Sequence, residues 1–265
     1  MKADLHIHSN ISDGSDSIGQ IIDIAKRRDL DAIAITDHDT LSHLGKIPCD
    51  PGIIIMGGVE ISANHIGTRT KAHIIAYRIK KPALLGALTR MTSFARNRNS
   101  EKQIEVLRQQ NYHFDKEQIA RADGKYIYKQ HIMDWLVSTG QAPDMFGDFY
   151  KRTFKNGGIC DFDILYPDAF EVVRLIKQAG GLAVLAHPGQ QQNFWLIPEL
   201  SREGLDGLEL NHHSHTESDK SIIRDHAAQY GLFLTGGSDY HGKYEPHTLG
   251  VGDILSEESG LRAIC

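Results

Sequence analysis

The stretch DLHIHS at residues 4–9 decides how the rest of the sequence is interpreted. Polar and apolar residues alternate along it, a pattern typical of a β-strand whose successive side chains point to opposite faces. Asp4, His6 and His8 would then share one face. Because both imidazoles point the same way, we favour a divalent metal site, with Asp4 as an acceptor that orients one histidine. The alternative is that two histidines merely share a polar face.

Six further apolar runs, most of them bounded by Gly, Pro or Asp, are also predicted to be strands. With the first, the predicted strands cover residues 3–8, 32–38, 53–60, 72–77, 182–187, 207–211 and 232–239. Amphipathic helices lie between several of them, and this alternation predicts an α/β fold with a parallel sheet, open or closed. Seven strands are about right for a β/α barrel of the TIM type.

Residues 80–165 interrupt this alternation, because they are mostly helical in pattern, polar and basic. We interpret them as an inserted helical subdomain between two barrel segments, residues 1–79 and 166–265. The basic excess within the insert suggests an element that faces phosphate, and a solvated helical surface is the equal alternative on charge alone.

Most of the predicted strands end in a residue type that binds metals. In a parallel barrel these ends meet at one rim, where sites are built, so we expect the group to lie together. Taken singly, Asp13 could be a turn residue, Glu60 an ion-pair partner and His73 a core histidine. The strand-end group is His6, His8, His38, Glu60, His73, His187, Asp239 and His241; the histidines left as surface or core residues are His43, His65, His113, His226 and His247.

Composition excludes several classes of protein. The chain has 265 residues, of which 40% are hydrophobic and 24% charged, and no stretch has the length and apolarity of a membrane helix. Its 3 cysteines fit neither a metal knuckle nor a disulfide framework, and we expect a cytoplasmic protein. The net charge of −5 argues against a nucleic-acid coat, whereas 15 histidines are unusually many.

Seven motifs together resemble the PHP (polymerase and histidinol phosphatase) family. They are DLHIHS at 4–9, SDG at 12–14, TDHD at 36–39, GVE at 58–60, AHI at 72–74, LAHPG at 185–189 and GSDYHG at 237–242. The resemblance implies a distorted seven-stranded β/α barrel with three divalent metal ions. It assigns the ligands as follows: His6, His8, Glu60 and Asp239 to the first ion; Glu60, His73 and His187 to the second; Asp13, His38 and His241 to the third.

Residues 96–99, 129–132 and 179–188 look like the nucleotide phosphoesterase branch of that family. Members of this branch are phosphatases for AMP or 3′,5′-bisphosphonucleotides and RNA 5′-exonucleases, with a helical insert over the metals. Two departures from the branch stand out: Lys129-Gln130 replaces the usual Arg-Pro, and residues 211–215 are unusually rich in histidine.

We therefore predict hydrolysis of a phosphate monoester, of a nucleotide, by a hydroxide that bridges two metal ions. The alternatives are a 5′-to-3′ exonuclease on short RNA, a cyclic-phosphate diesterase and, in a different class, a non-catalytic metal-binding module. We expect manganese, with iron or zinc as alternatives, and neither a membrane nor an obligatory protein partner. The predicted substrate contacts are Arg98 first, then Arg96, His131 and His215, while Asp37 would orient a ligand.

Overall fold

The computed structural model describes residues 1–244 and 249–265, and its element bounds follow the predicted runs closely. His247 lies outside the described residues. The strands are β1 (Ala3–Ile7), β2 (Ala32–Ile35), β3 (Ile54–Gly57), β4 (Val59–Ile61), β5 (Asn64–His65), β6 (Thr70–Lys71), β7 (Ile74–Tyr77), β8 (Leu182–Leu185), β9 (Gly207–Asn211) and β10 (Phe233–Gly236). The helices are α1 (Ile18–Arg27), α2 (Ala83–Gln109), α3 (Lys129–Ser138), α4 (Asp148–Phe154), α5 (Ala169–Gln178), α6 (Pro188–Gln191), α7 (Ile197–Glu203), α8 (Glu217–Tyr230) and α9 (Glu258–Ile264).

The strands pair into two main sheets and one hairpin. One sheet has the order β1-β2-β3, the other has the order β10-β9-β8-β7-β4, and β5 pairs with β6. Isolated bridges between Ile7 and Tyr240 and between His38 and Glu60 connect the two main sheets. The mixed α/β architecture is confirmed. The described residues contain ten strands in open sheets, so the strand pairing does not form a closed seven-stranded barrel.

Strand β7 runs against its neighbours, which corrects the expectation of an all-parallel sheet. It pairs antiparallel with both β4 and β8. The connection from β4 to β7 holds the β5–β6 hairpin and no helix. A parallel crossover usually runs through a helix, whereas antiparallel strands can be joined without one. His73 consequently precedes its strand, yet reaches the same rim as residues that follow the parallel strands.

Amphipathic helices cover the sheets as the sequence patterns predict. In α1 the apolar stripe is buried, and the Ser17 side chain accepts from the backbone N–H of Gln20 in a capping box. In α5 the N-cap is Asp168 and the buried stripe packs on the larger sheet. The segment from α2 to α4 carries a separate apolar cluster that includes Ile104, Phe114 and Phe154. Among the described residues, none of the helices combines the length and apolarity needed to cross a bilayer.

The two sheets are also joined by Tyr77, which is buried at the end of β7. Its hydroxyl donates to the carbonyl oxygen of Leu5 in β1, at 2.7 Å. Burial raises the pKa of Tyr77 well above its usual value, so the hydroxyl stays a donor. This bond ties the antiparallel strand to the strand that carries the HxH pair.

We expect Tyr77→Phe to lower the free energy of unfolding by about 1–2 kcal/mol, since it removes one buried hydrogen bond without changing the ring. Urea unfolding in the presence of chelator measures this. The control is Tyr230→Phe, because Tyr230 is partly exposed and its hydroxyl forms no hydrogen bond within residues 1–244 and 249–265. Equal midpoints for the two variants would contradict the role given to Tyr77.

Candidate metal centre

Four side chains converge on one point beyond the end of β1. His6 Nε2 lies 3.2 Å from both Glu60 Oε2 and Asp239 Oδ1, and His8 Nε2 lies 3.2 Å and 3.1 Å from the same two oxygens. Separations of about 3 Å are what bonds of roughly 2.0–2.2 Å to a shared ion produce between its ligand atoms. The four atoms therefore have the spacing of a coordination sphere.

The same four atoms are buried and have no hydrogen-bond partner among the described residues. They are His6 Nε2, His8 Nε2, Glu60 Oε2 and Asp239 Oδ1. Burying an unpaired carboxylate oxygen is strongly unfavourable unless a cation or a donor meets it. Imidazole nitrogens with carboxylate oxygens form a donor set that manganese, iron and zinc all accept. The residues present thus fit a divalent ion at this position.

The two carboxylate oxygens of Glu60 face two different sets of histidines. Oε2 faces His6, His8 and, at 3.2 Å, His38 Nδ1. Oε1 lies 2.8 Å from His73 Nδ1 and 2.9 Å from His187 Nε2. A carboxylate whose two oxygens face separate sets of nitrogens has the geometry to bridge two ions.

A third group surrounds Asp13. Its Oδ1 is 3.5 Å from His241 Nε2 and 3.7 Å from His8 Nδ1. With His38, these residues form a buried cluster that can hold a metal ion. The separations exceed the 3.1–3.2 Å of the first group, so this third group is looser. We use the term ligand rim for the nine residues His6, His8, Asp13, His38, Glu60, His73, His187, Asp239 and His241.

Backbone conformations at the rim are strained. Asp239 has φ +54° and His187 has φ +28°, both in the left-handed region that side chains other than glycine rarely adopt. Such strain clusters at functional sites, where surrounding contacts enforce it. Gly237 is needed for a related reason, because a Cβ there would lie 2.4 Å from the Cβ of His6. The turn that carries Asp239 can therefore approach β1 closely only through a glycine.

Two buried residues that sequence reasoning missed hold the rim in place. Glu209 Oε1 accepts from His6 Nδ1 at 2.9 Å, and its Oε2 accepts from the backbone N–H of His187 at 2.8 Å. His212 Nε2 lies 3.3 Å from Asp239 Oδ2. Burial alone would raise the pKa of Glu209, but the adjacent His6 outweighs it and lowers this pKa to about 2. In the sequence, the one signal for Glu209 was its position as a charged residue within an otherwise apolar strand.

Asp4 supports the rim differently from the prediction that it would accept from an imidazole. Its Oδ1 accepts from the backbone N–H groups of His6 and Ser238, at 3.3 Å and 3.0 Å. Its Oδ2 accepts from the Ser238 hydroxyl at 2.6 Å and from the Gly252 N–H at 2.8 Å. Asp4 therefore ties β1 to the turn that carries Asp239, and Glu209 takes the imidazole.

Asp37 positions the loop that carries Asp13. Its Oδ1 accepts from the backbone N–H of Ser9 and the hydroxyl of Ser12, both at 2.7 Å. Its Oδ2 accepts from the Ser9 hydroxyl at 2.8 Å and lies 3.3 Å from His43 Nδ1. His43, which the sequence analysis placed among the surface or core residues, thus helps to support the rim.

A cavity of about 200 Å³ opens onto the rim at Asp13, His38 and His73. Much of its lining comes from the helical segment, and four cations line it: Lys71, Arg96, Lys129 and Lys155. Arg96 is fixed by hydrogen bonds from Nε to Asp39 Oδ2 at 2.8 Å and from Nη2 to Ser62 Oγ at 2.6 Å. We call this cavity the substrate pocket.

Three of the predicted substrate contacts are not among the residues that line the substrate pocket. Arg98 is exposed and lies over the exposed Phe94, because two residues along α2 turn a side chain by roughly 200° from Arg96. His131 is buried, and its Nδ1 accepts from the backbone N–H of Tyr128, so it caps α3. His215 is also buried; its Nδ1 donates to the Leu210 carbonyl and its Nε2 accepts from the Gly189 N–H.

Known proteins resemble this chain over most of its length. The profile of the PHP domain family matches residues 4–182. A phosphoribosyl 1,2-cyclic phosphate 1,2-diphosphodiesterase of Eggerthella lenta is 40% identical over 251 residues, with 92% of this chain and 95% of that protein covered. A 3′,5′-nucleoside bisphosphate phosphatase of Chromobacterium violaceum is 31% identical, with coverage of 90% and 86%.

A solved structure from Bifidobacterium adolescentis, of a protein whose assignment as a metal-dependent phosphoesterase is provisional, has the same fold. It superposes with a TM-score of 0.88 at 27% identity, and the match covers 99% of this chain and 94% of that one.

We expect Glu209→Gln to weaken metal binding about 10–100-fold, the usual effect of losing a partner that orients a ligand. The amide can donate to His6 Nδ1 and so favour the tautomer whose Nε2 carries the proton and cannot bind a metal. Chelator competition with bound manganese measures the affinity. Glu199→Gln, on an exposed glutamate, is the matched control. Manganese affinity equal to that of the unmutated protein would show that Glu209 does not orient His6.

Proposed function

We propose, from the premise that this chain belongs to the PHP domain family and is a metal-dependent phosphoesterase, that its substrate is a phosphorylated ribose with a cyclic phosphate. One water is added and one P–O ester bond of the ring breaks, which leaves a phosphate monoester on the sugar. The cyclic diester ranks first because the Eggerthella lenta relative, at 40% identity over nearly the whole chain, carries that name.

The observation that carries this proposal is that two sets of residues for anionic groups line the substrate pocket. Residues of the ligand rim line it together with Lys71, Lys129 and Lys155. A substrate with a single phosphoryl group would leave one of these two sets without a partner. The volume of about 200 Å³ is below the roughly 300–1,000 Å³ of sites for drug-sized ligands, which favours a small molecule over a polymer.

The ligand rim would hold three divalent ions, with manganese as the first candidate. His6, His8, Glu60 and Asp239 would bind one, Glu60 with His73 and His187 a second, and Asp13 with His38 and His241 a third. When bound, the ions supply activation of water and neutralisation of phosphate charge.

The protein's own side chains hold the substrate. Two nitrogens of Arg96 are anchored to Asp39 and Ser62, and Arg96 lines the pocket, so its guanidinium would be a preset donor for a phosphate oxygen. Lys71, Lys129 and Lys155 would bind the remote phosphate. The inserted helical subdomain, residues 80–165, would act as the cover of a distorted barrel whose sheets are joined by the two bridges.

A 3′,5′-bisphosphonucleotide, in line with the nucleotide prediction, is the second candidate. Three partly exposed aromatic side chains line the same pocket: Phe146, Tyr150 and Tyr166. Aromatic faces stack on a nucleobase, with a worth of about 1–3 kcal/mol per base. The bisphosphate name of the Chromobacterium violaceum relative agrees with a substrate that has two phosphoryl groups.

The test is a substrate panel with manganese and with chelator. It contains ribose 5-phosphate 1,2-cyclic phosphate, 3′,5′-bisphosphoadenosine, AMP and a short 5′-phosphorylated RNA. Phosphorus NMR follows ring opening, which releases no free phosphate, and a colorimetric assay follows phosphate release. We expect manganese-dependent ring opening to be fastest. Turnover of the RNA alone would move the assignment to an exonuclease, and no turnover of any compound would favour a binding module.

Matched variants test whether the pocket lysines bind a second phosphoryl group. We expect Lys155→Ala to raise KM about 10-fold for a substrate with two phosphoryl groups and to leave KM unchanged for its analogue that lacks the second group, since only the remote contact is lost. Arg98→Ala is the control, because that exposed cation points away from the pocket. Equal effects of Lys155→Ala on both substrates would refute a separate site for the second phosphate.

Lys129 makes the pocket sensitive to pH. Burial, and then the nearby Lys155, lower the pKa of Lys129 to about 8, while Asp163 partly opposes this. The lysine therefore loses its charge as pH rises through about 8, and we expect kcat/KM for the doubly phosphorylated substrate to fall there. Lys129→Arg stays charged and should lack this descending limb. Identical profiles from pH 7 to 10 in both proteins would assign the limb to another group.

A further inference from the structure

The first residues of α3 contact the loosest part of the ligand rim. Tyr128, the N-cap of α3, and Gln130, in its first turn, each donate a hydrogen bond to residues of the third ligand group. We infer that Gln130 and Tyr128 are positioning residues for the third metal ion, so that the helical segment completes the metal centre. This inference rests on the proposed three-ion centre and names what retains its third ion.

Gln130 fixes the orientation of the Asp13 carboxylate. Its Nε2 donates to Asp13 Oδ2 at 2.8 Å. An ionised carboxylate only accepts hydrogen bonds, so the amide nitrogen must be the atom that faces it. With Oδ2 held from the helix side, Oδ1 is left facing His241 and His8. Gln130 thus decides which oxygen of Asp13 points into the third group.

Tyr128 fixes the other side of that group. Its hydroxyl donates to the backbone carbonyl of His38 at 3.1 Å. The ring is buried, and burial raises the pKa of the phenol well above its usual value, so it remains a donor throughout the working range of pH. His38 follows β2 and forms an isolated bridge with Glu60 of β4, and the Tyr128 bond adds a contact from the helical segment.

The third group needs such support more than the first. The first group has Glu209 behind His6, His212 behind Asp239 and Asp4 between the backbones that carry them. In the third group, Asp37 holds the loop of Asp13 and the Asp239 carbonyl lies 2.6 Å from His241 Nδ1, yet the separations around Asp13 Oδ1 are 3.5 Å and 3.7 Å, wider than in the first group. Its partners from outside the barrel strands are therefore expected to determine how well it retains an ion.

The experiment counts manganese ions and measures each affinity by titration of the metal-free protein, with free manganese followed by electron paramagnetic resonance. For the unmutated protein we expect three ions. Gln130→Leu keeps the volume but loses the donor, and Tyr128→Phe loses only the hydroxyl. Each should leave two affinities unchanged and weaken the third about 10–100-fold. The control is Ser138→Ala, at the exposed end of the same helix.

Rescue separates positioning from a general structural defect. If Gln130 acts through the third ion, excess manganese should restore kcat of Gln130→Leu, whereas a misfolded site would not recover. Three ions with unchanged affinities in both variants would overturn the inference and leave the proposed function standing. Fewer than three ions in the unmutated protein would overturn the inference together with the three-ion centre, and the substrate panel would still judge the phosphoesterase proposal.

Discussion

The interaction on which this structure depends is the burial of two carboxylates, Glu60 and Asp239, among imidazoles that give them no hydrogen bonds on their inner oxygens. Such a group is unfavourable in a protein interior without a cation. The surrounding chain is organised to hold these atoms in place all the same. Asp4 and Glu209 fix backbones and an imidazole, Gly237 permits the close approach, and strained backbone is maintained at Asp239.

The antiparallel strand β7 explains how one rim can collect ligands from so many elements. A strand that runs in the opposite direction brings its first residues, and not its last, to the edge where the parallel strands end. His73 reaches Glu60 in this way. The β5–β6 connection, which contains no helix, also carries Lys71, which lines the substrate pocket. This one connection therefore positions both His73 at the ligand rim and Lys71 in the lining of the substrate pocket.

Sequence reasoning succeeded where a residue's environment follows from its own strand. Period-two alternation placed His6 and His8 on one face, and the ends of apolar runs located His38, His187 and Asp239 at the rim. It failed where the answer depends on the phase of a helix or on a partner distant in sequence. Arg96 and Arg98 are equivalent in a charge count, but α2 turns only Arg96 inward. Glu209 lies 203 residues from the histidine that it orients, and nothing local marks that pairing.

The charge distribution resolves an apparent conflict between an acidic protein and an anionic substrate. The net charge is −5, yet Lys71, Lys129 and Lys155 all line the pocket, and burial together with the nearby Lys155 lowers the pKa of Lys129. Screening confines surface charges to about 8–10 Å, so a phosphate inside the pocket is governed by these three cations and by the ligand rim. An acidic exterior does not attract long polyanions, whereas the small substrate that we propose needs only the interior of the pocket. Under that proposal, discrimination between the two follows from where the positive charge lies.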